Sequence, residues 1–353
     1  MQNTLSIKVL ILGAIWLLSA SCTNNRPDSI TIKIIETSDV HGQIFPYDFL
    51  NDRPANHSLA QVATFVKGER KKEDQTVLLL ENGDFIQGDP TMYYYNFIET
   101  TGVHFAAKVM NYLQYDAATP GNHDIEAGPK VYNQLVNELN FPWLAANIIH
   151  TKTGAPYFEP YAIVEKSGIK IAVLGLITPS IPNWLPESLW PDMEFQDMIE
   201  SAKYWVQIIQ TKEKPDLLIG LFHAGVDYTY SNQTAETPKN ENASELVATQ
   251  VAGFDVVFVG HDHRGWNKSV TNIAGESVLI LGTTSKAMDV AVATIHLKKN
   301  NRNKYERLIA GALVKMESVM PDPDFLQQFS DNLAAVEAYT SQPVANITTT
   351  INS

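Results

Sequence analysis

Apolar runs of strand length recur along the chain, and five of them stop at side chains able to bind a metal. Residues 30–35 run into Asp39-Val40-His41, and residues 77–80 into Gly83-Asp84. Residues 116–119 lead to Gly121-Asn122-His123-Asp124, residues 217–222 to His223-Ala224-Gly225, and residues 254–259 to Gly260-His261-Asp262-His263. Further strands are expected at 168–177, 277–282 and 289–297, the last alternating as a half-exposed strand would. Between the strands, apolar spacing predicts helices over 59–70, 97–114, 130–139 and 193–210. This alternation predicts an α/β sandwich with mixed sheets rather than a closed barrel. Open α/β sheets bind ligands beyond the carboxyl ends of their strands. Five ends carrying Asp, Asn and His therefore predict one shared pocket, with more ligands than a single ion uses.

Other stretches read as structural. Residues 227–243, polar and rich in Thr and Asn, read as a mobile loop directly after the His223 motif. The aromatic run Tyr93-Tyr94-Tyr95, with Phe97, reads as a helix face packed on the sheet rather than a base-stacking surface. His57, His104, His150 and His296 stand outside the motifs and read as structural histidines. Pro321-Asp322-Pro323 opens an expected helix over 324–339, followed by a β-prone stub at 347–353.

Composition changes the picture in two places. At 353 residues and 44% apolar, 18% charged, the chain has ample material for a sizeable core. Lys and Arg total 26 against 39 Asp and Glu, a net charge of -13, and an acidic surface repels polyanions. That excludes a nucleic-acid polymer as partner, while a small phosphate ester could still enter a locally cationic pocket. At the amino end, Lys8 closes a short charged region, and residues 9–18 form an apolar stretch shorter than the ~20 residues of a bilayer span. Ser19-Ala20-Ser21 then runs into Cys22, the single cysteine of the chain. Small residues before a lone cysteine resemble a bacterial lipobox, with Ser19 where Leu is usual. The expectation is an exported lipoprotein of the periplasm or cell envelope, with residues 1–22 as signal peptide, Cys22 lipidated and 23–29 as a tether.

The chemistry follows from the donor set. Side chains two apart in an extended segment share a face, so Asp39 and His41, and again His261 and His263, are expected to grip one ion each time. Asp262 between the histidines faces away and fixes a neighbouring group. Two divalent ions bring four positive charges, Asp39 and Asp84 return two, and the site stays near +2. That suits a phosphate dianion and the further charge of its transition state. Imidazole ligands favour Zn, Mn, Fe or Co over Mg and Ca. A hydroxide shared by ions ~3.5–4 Å apart is the expected nucleophile.

Asp39-X-His41, Gly83-Asp84-X-X-X-Gly88, Gly121-Asn122-His123-Asp124, His223-X-Gly225 and Gly260-His261-X-His263 occur in the order seen in calcineurin-like metallophosphoesterases. Gly83-Asp84-Phe85-Ile86-Gln87-Gly88 and Asn242-Ala243-Ser244 resemble the bacterial 5'-nucleotidase and 2',3'-cyclic nucleotide phosphodiesterase branch. The resemblance spans residues 30–345 and implies a four-layer α/β/β/α core. It implies Asp39, His41, Asp84 and His263 around one ion, and Asp84, Asn122, His223 and His261 around the other, with Asp84 bridging. It also implies that His123 is catalytic, oriented by Glu126, one methylene longer than the family's Asp, with Asp124 as a competing partner. The implied organisation is a catalytic domain over 30–320 and an interdomain-type helix and linker over 321–353. On this reading the family's C-terminal nucleotide-binding domain, with its base-stacking aromatics and phosphate-binding arginines, is expected to be absent. The expected function is an exported dinuclear-metal phosphoesterase acting on nucleotide esters. The alternatives are a broad phosphomonoesterase or nucleotide-sugar hydrolase, or a truncated metal-binding remnant without turnover.

Overall fold

Alternation within the strands sets the layers. We describe the fold from a computed structural model, which covers residues 26–302 and 304–343. The expected leader, Cys22 and the 347–353 stub lie outside the described residues. One sheet is built from β1 (Ser29–Thr37), β2 (Gln75–Glu81), β3 (Ala117–Ala118), β10 (Asp289–Lys299) and β11 (Tyr305–Lys315), in the order β11-β10-β1-β2-β3. The other holds β4 (Tyr161–Lys166), β5 (Ile169–Ile177), β6 (Leu217–His223), β7 (Val256–Val259), β8 (Trp266–Thr271) and β9 (Ser277–Gly282), in the order β8-β9-β7-β6-β5-β4. β1, β2 and β3 pair in parallel, as do β5, β6, β7 and β9, while antiparallel strands close one flank of the first sheet and both flanks of the second.

Ile32 and Ile34 of β1, Leu78 and Leu80 of β2, and Leu217, Ile219 and Leu221 of β6 meet between the sheets. Their neighbours point outward. Ile35, Val77 and Leu79 join Val62 and Val66 of α1 (Leu59–Arg70), Phe105 and Val109 of α2 (Phe105–Leu113), and Leu135 of a helix at Pro129–Glu138. On the far face Leu218, Phe222 and Val257 pack under helices at Met198–Ile208 and Ser244–Gln250. The result is the expected α/β/β/α sandwich of two mixed sheets. Burying each of these aliphatic side chains contributes about 1.5–3 kcal/mol.

Local chemistry moves several element ends. α1 begins where expected, because Ser58 Oγ accepts the Ala60 N–H. The 97–114 helix is interrupted. A π-helical turn ends at Ile98, Gly102 takes φ +70, and α2 starts only after His104, whose Nδ1 accepts the Ala106 N–H. Residues 193–195 form a short strand against Ile148–His150, and the following helix waits for Asp197, which caps Ile199 and Glu200. The 324–339 helix is two helices, Pro323–Gln328 and Ser330–Thr340, split where Phe329 turns onto Phe105 and Phe325. In the aromatic run, Tyr95 is buried, but Tyr93 and Phe97 are each 51% exposed rather than packed on the sheet. No helix among the described residues is long and apolar enough to cross a membrane.

One polar network couples α1 to the first sheet. Glu69 receives Lys33 and Gln75 on one oxygen (2.7 and 2.8 Å) and Lys72 on the other (2.8 Å). Burial pushes its carboxyl up, but these donors outweigh burial and bring it down to about 2. A depressed carboxylate stabilises the fold above its unfolded value, about 4.3, and that contribution is lost as pH falls toward the folded value. Glu69→Gln is therefore expected to lower the Tm by a few degrees at pH 7. The gap from wild type narrows below about pH 4.5. A gap constant from pH 7 to pH 3, measured by thermal unfolding, would contradict this.

Candidate metal centre

The five motif loops leave the carboxyl ends of β1, β2, β3, β6 and β7 on one edge of the sandwich. The extended-segment argument for Asp39 and His41 does not hold in detail. Both lie past the end of β1 in left-handed conformation, with φ of 52° and 48°. Asp84 (57°), His261 (76°) and His263 (54°) share it. Asp, Asn and His tolerate this region better than most residues, yet each such turn has a conformational cost. The turns aim the donors at a common centre, and Val40 still points away into the core beside α1. Two glycines make the crowding possible. Gly83 has φ +89, and a Cβ on it would lie 2.5 Å from the Gly121 nitrogen. Gly121 is not left-handed; a Cβ there would sit 2.1 Å from Asp84 Oδ1.

The donors form two groups, Asp39 with His41 and His263, and Asp84 with His223 and His261, so His261 and His263 do not grip one ion together as their spacing predicted but point to different groups. In the first, His263 Nε2 lies 3.1 Å from Asp39 Oδ1 and 3.1 Å from His41 Nε2. In the second, His223 Nε2 is 3.2 Å from Asp84 Oδ2 and 3.3 Å from Asn122 Oδ1, and His261 Nδ1 is 2.9 Å from the same Asn122 oxygen. All seven sequence candidates are thus brought together. His41 Nδ1 meets the Gln87 carbonyl at 3.0 Å, and His223 Nδ1 meets the Asn82 carbonyl at 2.5 Å. Those ring nitrogens are donors, so the Nε2 lone pairs turn inward, that of His41 toward His263 Nε2 and that of His223 toward the Asp84 and Asn122 oxygens. Converging acceptors of this kind fit a cation.

Without a metal, a proton resolves the conflict. Burial pulls His223 down, but the Asp84 charge and hydrogen bond reverse this and push it up to about 10. Metal entry must displace that proton. Asp84 is held low, against its own burial, by His223. Glu36 and Glu81, fully buried just behind the loops, are pushed well up by desolvation.

His123 is the second residue of the short helix Asn122–Glu126, and its N–H donates to Asp84 Oδ1 (2.8 Å). Its Nδ1 lies 2.5 Å from Glu126 Oε2, one helical turn on, with both side chains partly open to solvent. Asp124 is engaged elsewhere. It accepts the N–H groups of Asp84, Phe85, Ile86 and Gly121 at 2.7–3.0 Å and so shapes the Asp84 loop. Asp262 accepts from Trp266 Nε1 and the Val226 N–H, away from the centre as expected.

Two neighbours escaped the sequence reading. Glu241 Oε1 lies 3.3 Å from His261 Nε2, the nitrogen opposite the one at Asn122. Trp184 stacks on the same ring, 5.5 Å between centroids. Glu241 directly precedes the Asn242-Ala243-Ser244 stretch, which was a usable signal; Trp184 had none. The 227–243 segment that carries Glu241 is tied down by Asn240, which donates to the Tyr228 and Thr234 carbonyls.

Comparison with known proteins agrees with this geometry. Residues 32–265 match the calcineurin-like phosphoesterase family. The chain is 31% identical over 250 residues to the trifunctional nucleotide phosphoesterase protein YfkN of Bacillus subtilis, covering 66% of this chain and 17% of that protein. It is 26% identical over 275 residues to a 2',3'-cyclic-nucleotide 2'-phosphodiesterase/3'-nucleotidase of Yersinia enterocolitica, covering 74% and 41%. The chain thus spans less than half the length of these relatives. Among solved structures, the calcineurin-like phosphoesterase YfkN of Bacillus subtilis superposes with a TM-score of 0.77 at 25% identity, over 89% of this chain and 100% of that one. A 5'-nucleotidase precursor of Thermus thermophilus shares the fold at a TM-score of 0.70 and 19% identity, over 90% and 61%. Both the spacing of the motifs and the sandwich that gathers them are those of one lineage: this chain belongs to the calcineurin-like phosphoesterases, related to the N-terminal domain of 5'-nucleotidases and 2',3'-cyclic nucleotide phosphodiesterases.

Proposed function

We propose that the protein is an exported phosphoesterase that uses two divalent metal ions to hydrolyse nucleotide phosphate esters. The observation that carries this is the convergence of seven donor side chains with their lone pairs turned inward. Asp39, His41, Asp84 and His263 would hold one ion, and Asp84, Asn122, His223 and His261 the other, with imidazole favouring Zn, Mn, Fe or Co. When bound, the ions supply Lewis-acid polarisation and charge neutralisation at a phosphoryl group. The chain's own groups do the rest. With Nδ1 tied to Glu126, the His123 ring is fixed and its Nε2 is left to hold a proton for the departing oxygen. Glu241 and Trp184 hold the His261 ring from behind, as partners of metal-ligating imidazoles do.

The names of the relatives support nucleotides as the substrate class. Export by residues 1–22, with Cys22 lipidated, belongs to the same proposal and rests on the sequence pattern. So does the division into a catalytic domain over 30–320 and a linker beyond it. Purified protein loaded with Mn or Co is expected to cleave p-nitrophenyl phosphate, its bis ester and nucleotides. EDTA abolishes this and fresh metal restores it. Metal-loaded protein that cleaves none of them would sink the proposal in favour of a binding remnant.

A further inference from the structure

Two cavities adjoin the metal centre in sequence, and their linings differ in kind. The nearer, about 620 Å³, is bounded by His41 itself and by polar side chains including Asp48, Asn51, Arg53, Asn56 and His57. The farther, about 530 Å³, is walled by Phe49, Tyr93, Phe97 and Tyr339. Both volumes lie in the range of small-molecule sites. Leu50, Gly88 and Asp89 line both cavities, so the two adjoin across these residues as the chambers of a cleft. The backbone at the junction is also the backbone that holds the metal centre, since the Gln87 carbonyl meets His41 Nδ1.

The aromatic chamber is not part of the core. Leu50 is 71% exposed and Tyr93 and Phe97 are 51% exposed. The Tyr93 and Phe97 rings stand 5.3 Å apart at 60°, and both line the cavity. Asp89 spends Oδ1 on the Thr91 N–H, and its second oxygen stands as an acceptor at the junction. Outward from the metals, the cleft therefore runs from charge, through hydrogen-bonding groups, to aromatic faces. A nucleotide has the same order: phosphate, sugar hydroxyls, planar base.

We infer that this cleft is a leaving-group site on the catalytic domain itself, with the sugar in the polar chamber and the base against Tyr93 and Phe97. The inference rests on the nucleotide reading above and adds where the nucleoside sits. It makes the catalytic domain selective by itself for esters with a planar aromatic end over bare sugar phosphates. Base–aromatic stacking contributes enough binding to make the effect measurable, on the order of ten-fold.

Two measurements test it. Adenosine binding to the metal-free chain, followed by ligand-observed NMR, reads the cleft without turnover. Weakening of roughly ten-fold in the Tyr93→Ala/Phe97→Ala double variant is expected. In the metal-loaded protein, the ratio of kcat/KM for AMP to that for ribose 5-phosphate is expected to fall by a similar factor in that variant. Both side chains are half exposed, so the fold is expected to persist, and circular dichroism checks it. Adenosine that does not bind, binds the variant equally well, or a ratio that stays put would overturn the inference. So would a dimer in sedimentation that the same variant dissolves, which would give the face to a second copy of the chain. Failure to cleave any ester would count against the phosphoesterase reading alone, because the NMR measurement does not depend on turnover.

Discussion

Asp84→Asn is expected to empty both metal positions together and to abolish turnover. Asp84 is the carboxylate we place between the two ions, and it lies fully buried with Oδ2 3.2 Å from His223 Nε2. Asn keeps its size, tolerates the left-handed backbone at φ +57 and can still accept the His123 N–H. The substitution therefore removes one negative charge with little change of shape. Loss of an outer partner of a ligand already costs 10–100-fold in metal affinity. Losing a shared ligand is expected to cost at least about 100-fold at each position. Elemental analysis after metal loading and desalting reads the result. One ion retained per chain would show that Asp84 serves a single position, and full occupancy would remove it from the centre.

His123→Ala gives the complementary result. The side chain belongs to neither donor group, and the contact with Asp84 is made by the backbone N–H, which alanine keeps. Both ions are expected to remain, while kcat falls by roughly 10²–10⁴, the range of a lost general acid. The pair of variants separates holding the metal from doing the chemistry. Equal metal loss in the two would mean that His123 is itself a ligand, and unchanged kcat would assign the leaving-group proton to another source.

How much of this was legible in the chain depends on the range over which each feature is encoded. Fully buried strands such as β6 and β9 show as unbroken apolar runs, and their ends were read within a residue. β4, β8 and β11 were missed because flanking strands with one wet face alternate weakly; β8 reads half-buried, exposed throughout its length. The helix expected at 97–114 was spoiled by Gly102, a local signal that the apolar spacing on either side concealed. Glu126 and Asp124 stood equally close to His123 in sequence. The choice between them was made by Asp84, Phe85 and Ile86, whose N–H groups claim Asp124 from about forty residues away.

What the amino-acid order determined by itself was the identity of the donors and the kind of fold. Both follow from short-range pattern: apolar runs of strand length, each ended by a residue with a lone pair to offer. What the tertiary structure alone decided was orientation. The left-handed turns at Asp39, His41, Asp84, His261 and His263, the Glu241 and Trp184 backing of His261, and the half-exposed rings of Tyr93 and Phe97 arise where distant segments pack together. Such packing selects among backbone and side-chain states that lie within a few kcal/mol of one another when a segment is considered alone.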